Sequence, residues 1–188
     1  MIERRTELKI EAELDKTTVI NLVDQWRFDL GFFAEEINTE KPWGAYWRIS
    51  GSQISQFLDV FFSEIKDTLE RDRADLSPKF LLVAPGERLS WQYHERRAEI
   101  WKVIAGEVSV KLSRIEDEPK YGYKFVAGDM IQIDQGEKHR LIGKFGWGLV
   151  AEIWVHTDNN YPSDEQDIIR ISDNYGRENS IRGENHVN

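Results

Sequence analysis

The sequence predicts a mainly β protein, an antiparallel β barrel or sandwich with helices at its N-terminal side. From residue 79 onward, short apolar runs with period two are separated by turns that contain glycine, which is the pattern of strands. Before residue 79, apolar residues recur at three-to-four spacing, which is typical of amphipathic helices. Because no helical pattern separates the later strands, a sandwich or barrel is favoured over alternating strands and helices.

Two helices and one strand are predicted before the β region. The first helix lies in DKTTVINLVDQWRFDLG, with Asp15 as its N-cap residue. Its expected apolar face consists of Val19, Leu22, Val23 and Trp26. The second helix lies within residues 51–72, and its expected apolar face consists of Ile54, Leu58, Phe61, Phe62 and Ile65. Between them, KPWGAYWRI predicts an aromatic strand after a Pro-Trp-Gly turn.

The β region contains the remaining predicted strands. In chain order these are KFLLVA, EIWKVIAGEVSVKL, YKFVAGDMIQI, HRLIGK and GWGLVAEIWVH. A chain of 188 residues is long enough for one full core, so we expect a single domain over residues 1–177. Its expected parts are an N-terminal elaboration at 1–40, a helical insertion at 51–72 and a β core at 79–157. Residues 178–188 have little to bury and are expected to form a flexible tail.

Composition excludes several classes of function. A net charge of −9 argues against nucleic acid or an anionic membrane surface as the main partner. The absence of cysteine excludes disulfides, thiolate metal sites and cysteine nucleophiles. The N-terminal stretch MIERRTELKI has no apolar signal region, and no apolar run is long enough to span a bilayer. We therefore expect a soluble cytoplasmic protein.

Four polar residues form a candidate metal site. Gln92 and His94 are two residues apart, so on a strand they share one face. Glu99 follows after a predicted turn, and His139 comes from a later segment. Two imidazoles, a carboxylate and an amide oxygen suit one divalent Mn, Fe, Co, Ni or Zn ion with positions open for substrate. Singly, such residues are more often hydrogen-bonded or solvated, so the prediction depends on their combination.

The combination resembles the two motifs of the cupin family. The first motif is a set of metal ligands between two glycines. It matches at Gly86, Gln92, His94, Glu99 and Gly106, with Gln92 where a histidine is usual. The second motif matches at Gly128, Gly136 and His139, with Asp134 where a proline is usual. The resemblance implies a cupin barrel with one bound divalent ion.

Longer stretches are similar to the cupin domain of the type II phosphomannose isomerases. They are KPWG at 41–44, LSWQYHERRAEIW at 89–101, GEKHRL at 136–141 and DIIRISDNYGR at 167–177. This similarity implies a metal-dependent isomerase that interconverts mannose 6-phosphate and fructose 6-phosphate. In such a reaction a divalent ion holds O1 and O2 of the sugar while a base moves a proton between C1 and C2. It also implies that Arg97 neutralises the enediolate or holds the phosphate.

The sequence departs from that family at three positions where histidine is usual, which are Glu95, Arg96 and Ile100. If one of the replaced histidines moves the proton, isomerase activity would be lost unless Glu95 or Glu152 acts as the base. Two alternatives therefore stay open. One is a metal-bearing cupin that binds a sugar or small anion without turnover, and the other is an isomerase of a different sugar.

Basic residues near the predicted ligands favour an anionic small molecule. Besides Arg97, the candidates for substrate binding are Arg88, Lys138 and Arg140. Their local concentration in an acidic chain would attract a phosphorylated or carboxylated ligand. The alternative is that they are solvated residues that balance nearby glutamates. Trp91 is a candidate for the pocket wall, and family resemblance implies a homodimer.

Overall fold

A computed structural model of the chain describes residues 6–71 and 75–177. The helices are α1 (Lys16–Asp29), α2 (Ile54–Phe61) and α3 (Lys66–Arg71), with 3-10 turns at Gly51–Gln53 and Glu165–Asp167. The strands are β1 (Ala34–Asn38), β2 (Gly44–Ile49), β3 (Leu76–Val83), β4 (Trp91–Tyr93), β5 (Arg97–Ala105), β6 (Glu107–Ser113), β7 (Tyr123–Val126), β8 (Met130–Ile133), β9 (Lys138–Gly143), β10 (Gly148–His156) and β11 (Ile169–Ser172).

The strands form two sheets, and the described pairings between named strands are antiparallel. The larger sheet has the order β1-β2-β3-β10-β5-β8, and the smaller one has the order β11-β4-β9-β6-β7. The predicted mainly β fold is confirmed by this arrangement.

The larger sheet is the middle of three layers because its side chains alternate between two cores. On β3, Phe80 and Leu82 pack with the helices, whereas Leu81 and Val83 pack with residues of the smaller sheet. The same alternation on β10 directs Glu152 away from the helices and toward the space between the sheets. One face of this sheet is therefore available to line a site.

The helical layer follows the predicted pattern in part. Asp15 is confirmed as the N-cap residue of α1, since its Oδ1 accepts the backbone N–H of Thr18 at 3.1 Å. Leu22 is 36% exposed, so its assignment to the apolar face was wrong. The second predicted helix is interrupted, because Phe62 leaves the helical conformation (φ −133°) and its side chain is fully buried in the core.

Strand β1 was not predicted, since AEEIN is short and lacks clear alternation, yet it pairs with β2. The predicted flexible tail at 178–188 lies outside the described residues. None of the described helices is long and apolar enough to cross a membrane.

Gly106 lies at a corner where the chain passes from the larger sheet to the smaller one, between β5 and β6. Its φ of 76° lies in the left-handed region that glycine adopts most readily. A Cβ atom there would lie 2.0 Å from the carbonyl oxygen of Trp147. The closing glycine of the first motif is therefore required by backbone contact.

Candidate metal centre

His94, Glu99 and His139 converge between the two sheets. His94 follows β4, Glu99 lies on β5 and His139 lies on β9, opposite Gln92 in the β4–β9 pairing. One potential ligand atom from each of the three lies within 4.8 Å of the others. All three residues are at most 2% exposed. Three of the four predicted ligands thus form one buried cluster.

Hydrogen bonds fix the proton positions on both imidazoles. Nδ1 of His94 lies 2.7 Å from the carbonyl oxygen of Asp167, and Nδ1 of His139 lies 2.9 Å from that of Glu137. A carbonyl oxygen only accepts, so each Nδ1 carries a proton and the lone pair of a neutral ring is on Nε2. Backbone acceptors of this kind orient histidine ligands in metal sites.

Both Nε2 atoms face the carboxylate of Glu99. The Nε2 of His94 lies 3.1 Å from Oε1 of Glu99, and the Nε2 of His139 lies 3.5 Å from Oε2. Burial acts to raise the pKa of Glu99, but His94 and Arg97 hold it well below its usual value. Burial lowers the pKa of His139 to about 4, so its imidazole is neutral at pH 7.

The residues present fit a divalent ion. Nε2 of His139 is buried and has no hydrogen-bond partner among the described residues, and a buried unsatisfied acceptor is costly unless it binds something. Two imidazoles and one carboxylate form a mixed nitrogen and oxygen set that suits Zn, Mn, Fe, Co or Ni. When bound there, such an ion would supply Lewis-acid stabilisation of negative charge on a substrate.

A cavity lies between the two sheets, and Glu99 is part of its lining. Gln92, the fourth predicted ligand, lines this cavity as well and is 8% exposed. Its Oε1 accepts a hydrogen bond of 2.5 Å from the hydroxyl of Ser90. That bond uses one lone pair of the amide oxygen and leaves another. The amide oxygen therefore keeps a lone pair that could bind an ion, and the ligand role of Gln92 remains a prediction.

Arg97 is buried beside the cluster, with its guanidinium largely engaged by protein groups. Nε donates to Oε1 of Glu99 at 2.8 Å, and Nη2 donates to Nε2 of His94 at 3.1 Å. Nη1 donates to the hydroxyl of Ser163 at 2.7 Å. The guanidinium also stacks 3.7 Å from the ring centre of Trp154. These contacts orient the ligands, and an ion at Nε2 of His94 would displace one of them.

Glu152 is a second buried carboxyl in the cavity. The indole N–H of Trp101 lies between the two carboxylates, 3.0 Å from Oε1 of Glu152 and 3.1 Å from Oε2 of Glu99. The other oxygen of Glu152 is buried and has no described partner. Burial, reinforced by Glu99, raises the pKa of Glu152 to about 8.

The structure does not bring the other predicted site residues to this cavity. Lys138 and Arg140 flank His139 on β9, and strand alternation therefore turns them to the opposite face. Arg140 bonds Glu118 and Ser172 there. Three other predicted site residues, Arg88, Trp91 and Glu95, are also outside the cavity lining. The indole of Trp91 donates to the carbonyl oxygen of Glu116, and Glu95 is exposed.

Four basic residues that sequence reasoning did not select line the cavity instead: Lys41, Lys79, Arg170 and Arg177. Lys79 pairs with Glu165 at 2.6 Å, and Arg177 pairs with Asp173. Lys41 and Arg170 have no acidic partner within 4.0 Å in the described part of the chain. The only sequence signal for them was their place in KPWG and in the 167–177 stretch.

A two-sheet β fold with a buried histidine–glutamate–histidine cluster between its sheets defines a barrel of the cupin class. The family described as "Mannose-6-phosphate isomerase C-terminal" matches residues 65–173. Because this match covers more than half of the chain, the chain belongs to that family. The resemblance to cupins and to this isomerase family is confirmed.

Among known proteins, the chain is similar to mannose-1-phosphate guanylyltransferases. It is 33% identical to that of Salmonella montevideo and 32% identical to that of Escherichia coli (strain K12), in each case over 99 residues. These matches cover 53% of this chain but 19% of each relative. The chain thus spans about a fifth of the length of these relatives.

Two solved structures illustrate the range of structural similarity. A sugar phosphate isomerase of the cupin superfamily from Silicibacter pomeroyi is 15% identical with a TM-score of 0.38, covering 44% of this chain and 51% of that one. KdgF from Halomonas sp. is 13% identical with a TM-score of 0.46, covering 67% of this chain and 92% of that one.

Proposed function

We propose that the protein is a metal-dependent isomerase that interconverts an aldose and a ketose phosphate, of the mannose 6-phosphate and fructose 6-phosphate type. The observation that carries this proposal is that three elements meet at one cavity between the sheets. Glu99, which clusters with His94 and His139, lines this cavity together with Glu152, one of whose oxygens has no described partner, and with Lys41 and Arg170, which have no acidic partner among the described residues. Family membership supports the same substrate class.

Glu152 is the proposed group that moves the proton. The free Oε2 can accept a proton from the sugar carbon, while the indole N–H of Trp101 holds Oε1 in place. A carboxyl whose pKa is near 8 is only partly ionised at neutral pH and can therefore both accept and return a proton. Glu95, the other base considered from sequence, is exposed and lies outside the cavity lining.

Lys41 and Arg170 are the proposed contacts of the phosphate. Burial lowers the pKa of Lys41, and the nearby charges of Arg177, Lys79 and Arg170 lower it further, against the opposing effect of Glu165. Nε of Arg170 is buried without a described partner. An anion between these side chains would relieve their repulsion and satisfy the free donor.

A second candidate function is binding of the same sugars without turnover. It is favoured by the three positions where the related isomerases have histidine. Glu95 is exposed, Arg96 bonds Pro162 and Asp164, and Ile100 packs in the helical core. None of these positions lines the cavity, so no residue there replaces a lost histidine in the chemistry.

Proton NMR in D₂O separates the two functions. The protein would be loaded with Mn²⁺, Co²⁺ or Zn²⁺ and incubated with fructose 6-phosphate or mannose 6-phosphate. We expect exchange at C1 and C2 that is lost in Glu99→Ala and in Glu152→Gln but kept in the control Glu95→Gln. No exchange from protein shown to hold its ion would rule out isomerisation of these sugars. Ligand-induced thermal stabilisation without exchange would instead support the binding function.

A further inference from the structure

Residues 162–172, which we call the strap, lie against the turn between β4 and β5, next to the candidate ligands His94 and Glu99. The strap contains a 3-10 turn and β11, and β11 pairs with β4 through Ile169 opposite Tyr93 and Arg170 opposite Gln92. A side chain of the turn between β4 and β5 binds the strap as well. Nη1 of Arg96 donates to the carbonyl oxygen of Pro162 at 2.8 Å, so the contacts of the strap concentrate on the ligand-bearing turn.

Asp167 makes the densest set of these contacts. Its Oδ1 accepts the backbone N–H of Glu95 and its Oδ2 accepts that of Arg96, both at 3.0 Å. Oδ2 also accepts the hydroxyl of Ser163 at 2.6 Å. Its backbone oxygen accepts Nδ1–H of His94 at 2.7 Å. Asp167 is 5% exposed, so solvent does not compete for these bonds.

These bonds hold both the imidazole ring of His94 and the backbone that follows it. A carboxylate that accepts two consecutive N–H groups fixes the conformation of the turn that follows His94. The bond to Nδ1 fixes the tautomer and the rotation of the same ring, which directs Nε2 toward Glu99. The carboxylate form is required for this double acceptance, since a protonated or amide side chain would face one of the two donors with a hydrogen.

We propose that Asp167 is a positioning residue of the metal centre, and that ion binding in turn holds the strap against the turn between β4 and β5. This inference rests on the metal binding of the proposed function. Linkage makes the two effects reciprocal, because whatever the docked strap contributes to ion affinity, the ion contributes to docking of the strap.

Ion affinity in matched variants tests the positioning role. The full chain and the variants Asp167→Asn and Asp164→Asn would be titrated calorimetrically with Zn²⁺ at pH 7. Asp164 is a suitable control because it lies on the same strap but is 57% exposed and makes no described bond to a ligand residue. We expect Asp167→Asn to weaken Zn²⁺ binding about 10- to 100-fold, the usual effect of losing a partner of a ligand. We expect Asp164→Asn to change it less than about threefold.

Two further readouts separate positioning from a general loss of stability. At saturating Co²⁺ the visible spectrum should differ between Asp167→Asn and the unaltered protein, because the geometry at His94 changes. Zn²⁺ should also slow amide hydrogen exchange of residues 162–172 in the unaltered chain, a measurement that needs no variant to fold. Equal affinity and equal spectra would overturn the positioning role, and unchanged exchange would overturn the linkage. Failure of the unaltered protein to take up Zn²⁺ or Co²⁺ would instead overturn the metal centre itself.

Discussion

Replacing Glu152 with glutamine should change how the stability of the protein depends on pH. Glu152 is 3% exposed, one of its oxygens lacks a described partner, and Glu99 lies on the other side of the Trp101 indole. Burial and Glu99 raise its pKa from 4.5 to about 8. Its folded-state pKa is thus above its unfolded-state pKa, so the folded protein binds the proton more tightly.

The size of the effect follows from the number of protons exchanged. Between about pH 4.5 and pH 8 the unfolded state has released a proton that the folded state still holds. Unfolding is therefore favoured as pH rises, by up to about 1.4 kcal/mol per pH unit across this window. The contribution of Glu152 is fully present below pH 4.5 and is lost as pH rises through 8. Glutamine does not titrate, so Glu152→Gln should remove this slope.

Urea unfolding at pH 5, 6, 7 and 8, with a chelator to keep metal out, measures the difference. With each step up in pH, the unfolding free energy of Glu152→Gln should rise relative to that of the unaltered chain. Glu165→Gln is a matched control, since Glu165 also lines the cavity but its side chain is 38% exposed and paired with Lys79. Two parallel stability curves for Glu152→Gln and the unaltered protein would refute the raised pKa.

Two further substitutions test the layers that hold the site. Phe80 is fully buried on the helical face of β3, with its ring centre 5.1 Å from that of Phe57. Phe80→Ala should lower the unfolding free energy by about 3–5 kcal/mol. The control Phe28→Ala, at a side chain that is 59% exposed, should change it by less than about 0.5 kcal/mol. Equal losses of stability in thermal unfolding would contradict the role of this layer. Gly136→Ala should cost about 1–2 kcal/mol through its φ of 77° alone, while Gly106→Ala adds the contact with Trp147 and should cost clearly more. Similar stability of the two alanine variants would disprove the close approach at the corner.

The sequence predicted the centre of the site better than its walls. Spacing alone placed Gln92 and His94 on one face, and the second motif supplied His139; the structure groups His94, His139 and Glu99. The same rule of alternation, applied to β9, would have turned Lys138 and Arg140 away from the cavity. Local patterns carry this kind of information because strand geometry is periodic.

Other features depended on contacts between distant segments and had no signal in the local periodicity. Lys41 and Arg170 are far apart in sequence and meet only because β2 and β11 border the same cavity. Strand β1 forms through pairing with β2 despite weak strand propensity, and tertiary pairing commonly overrides such propensity. The break after α2 also has no signal in the periodicity, since Phe62 is buried as an unbroken helix would predict, yet its backbone is not helical.

The two faces of the larger sheet contact different surroundings, the cavity on one side and the helices on the other, and Ile100 shows the consequence. On β5, Glu99 and Trp101 point to the cavity, whereas Ile100 between them packs with the helical layer. The side chain at this position therefore packs against the helical layer and does not face the inside of the barrel. Across the family, an apolar side chain there should accompany helices that cover the outer face, and a histidine should accompany a face left open to water.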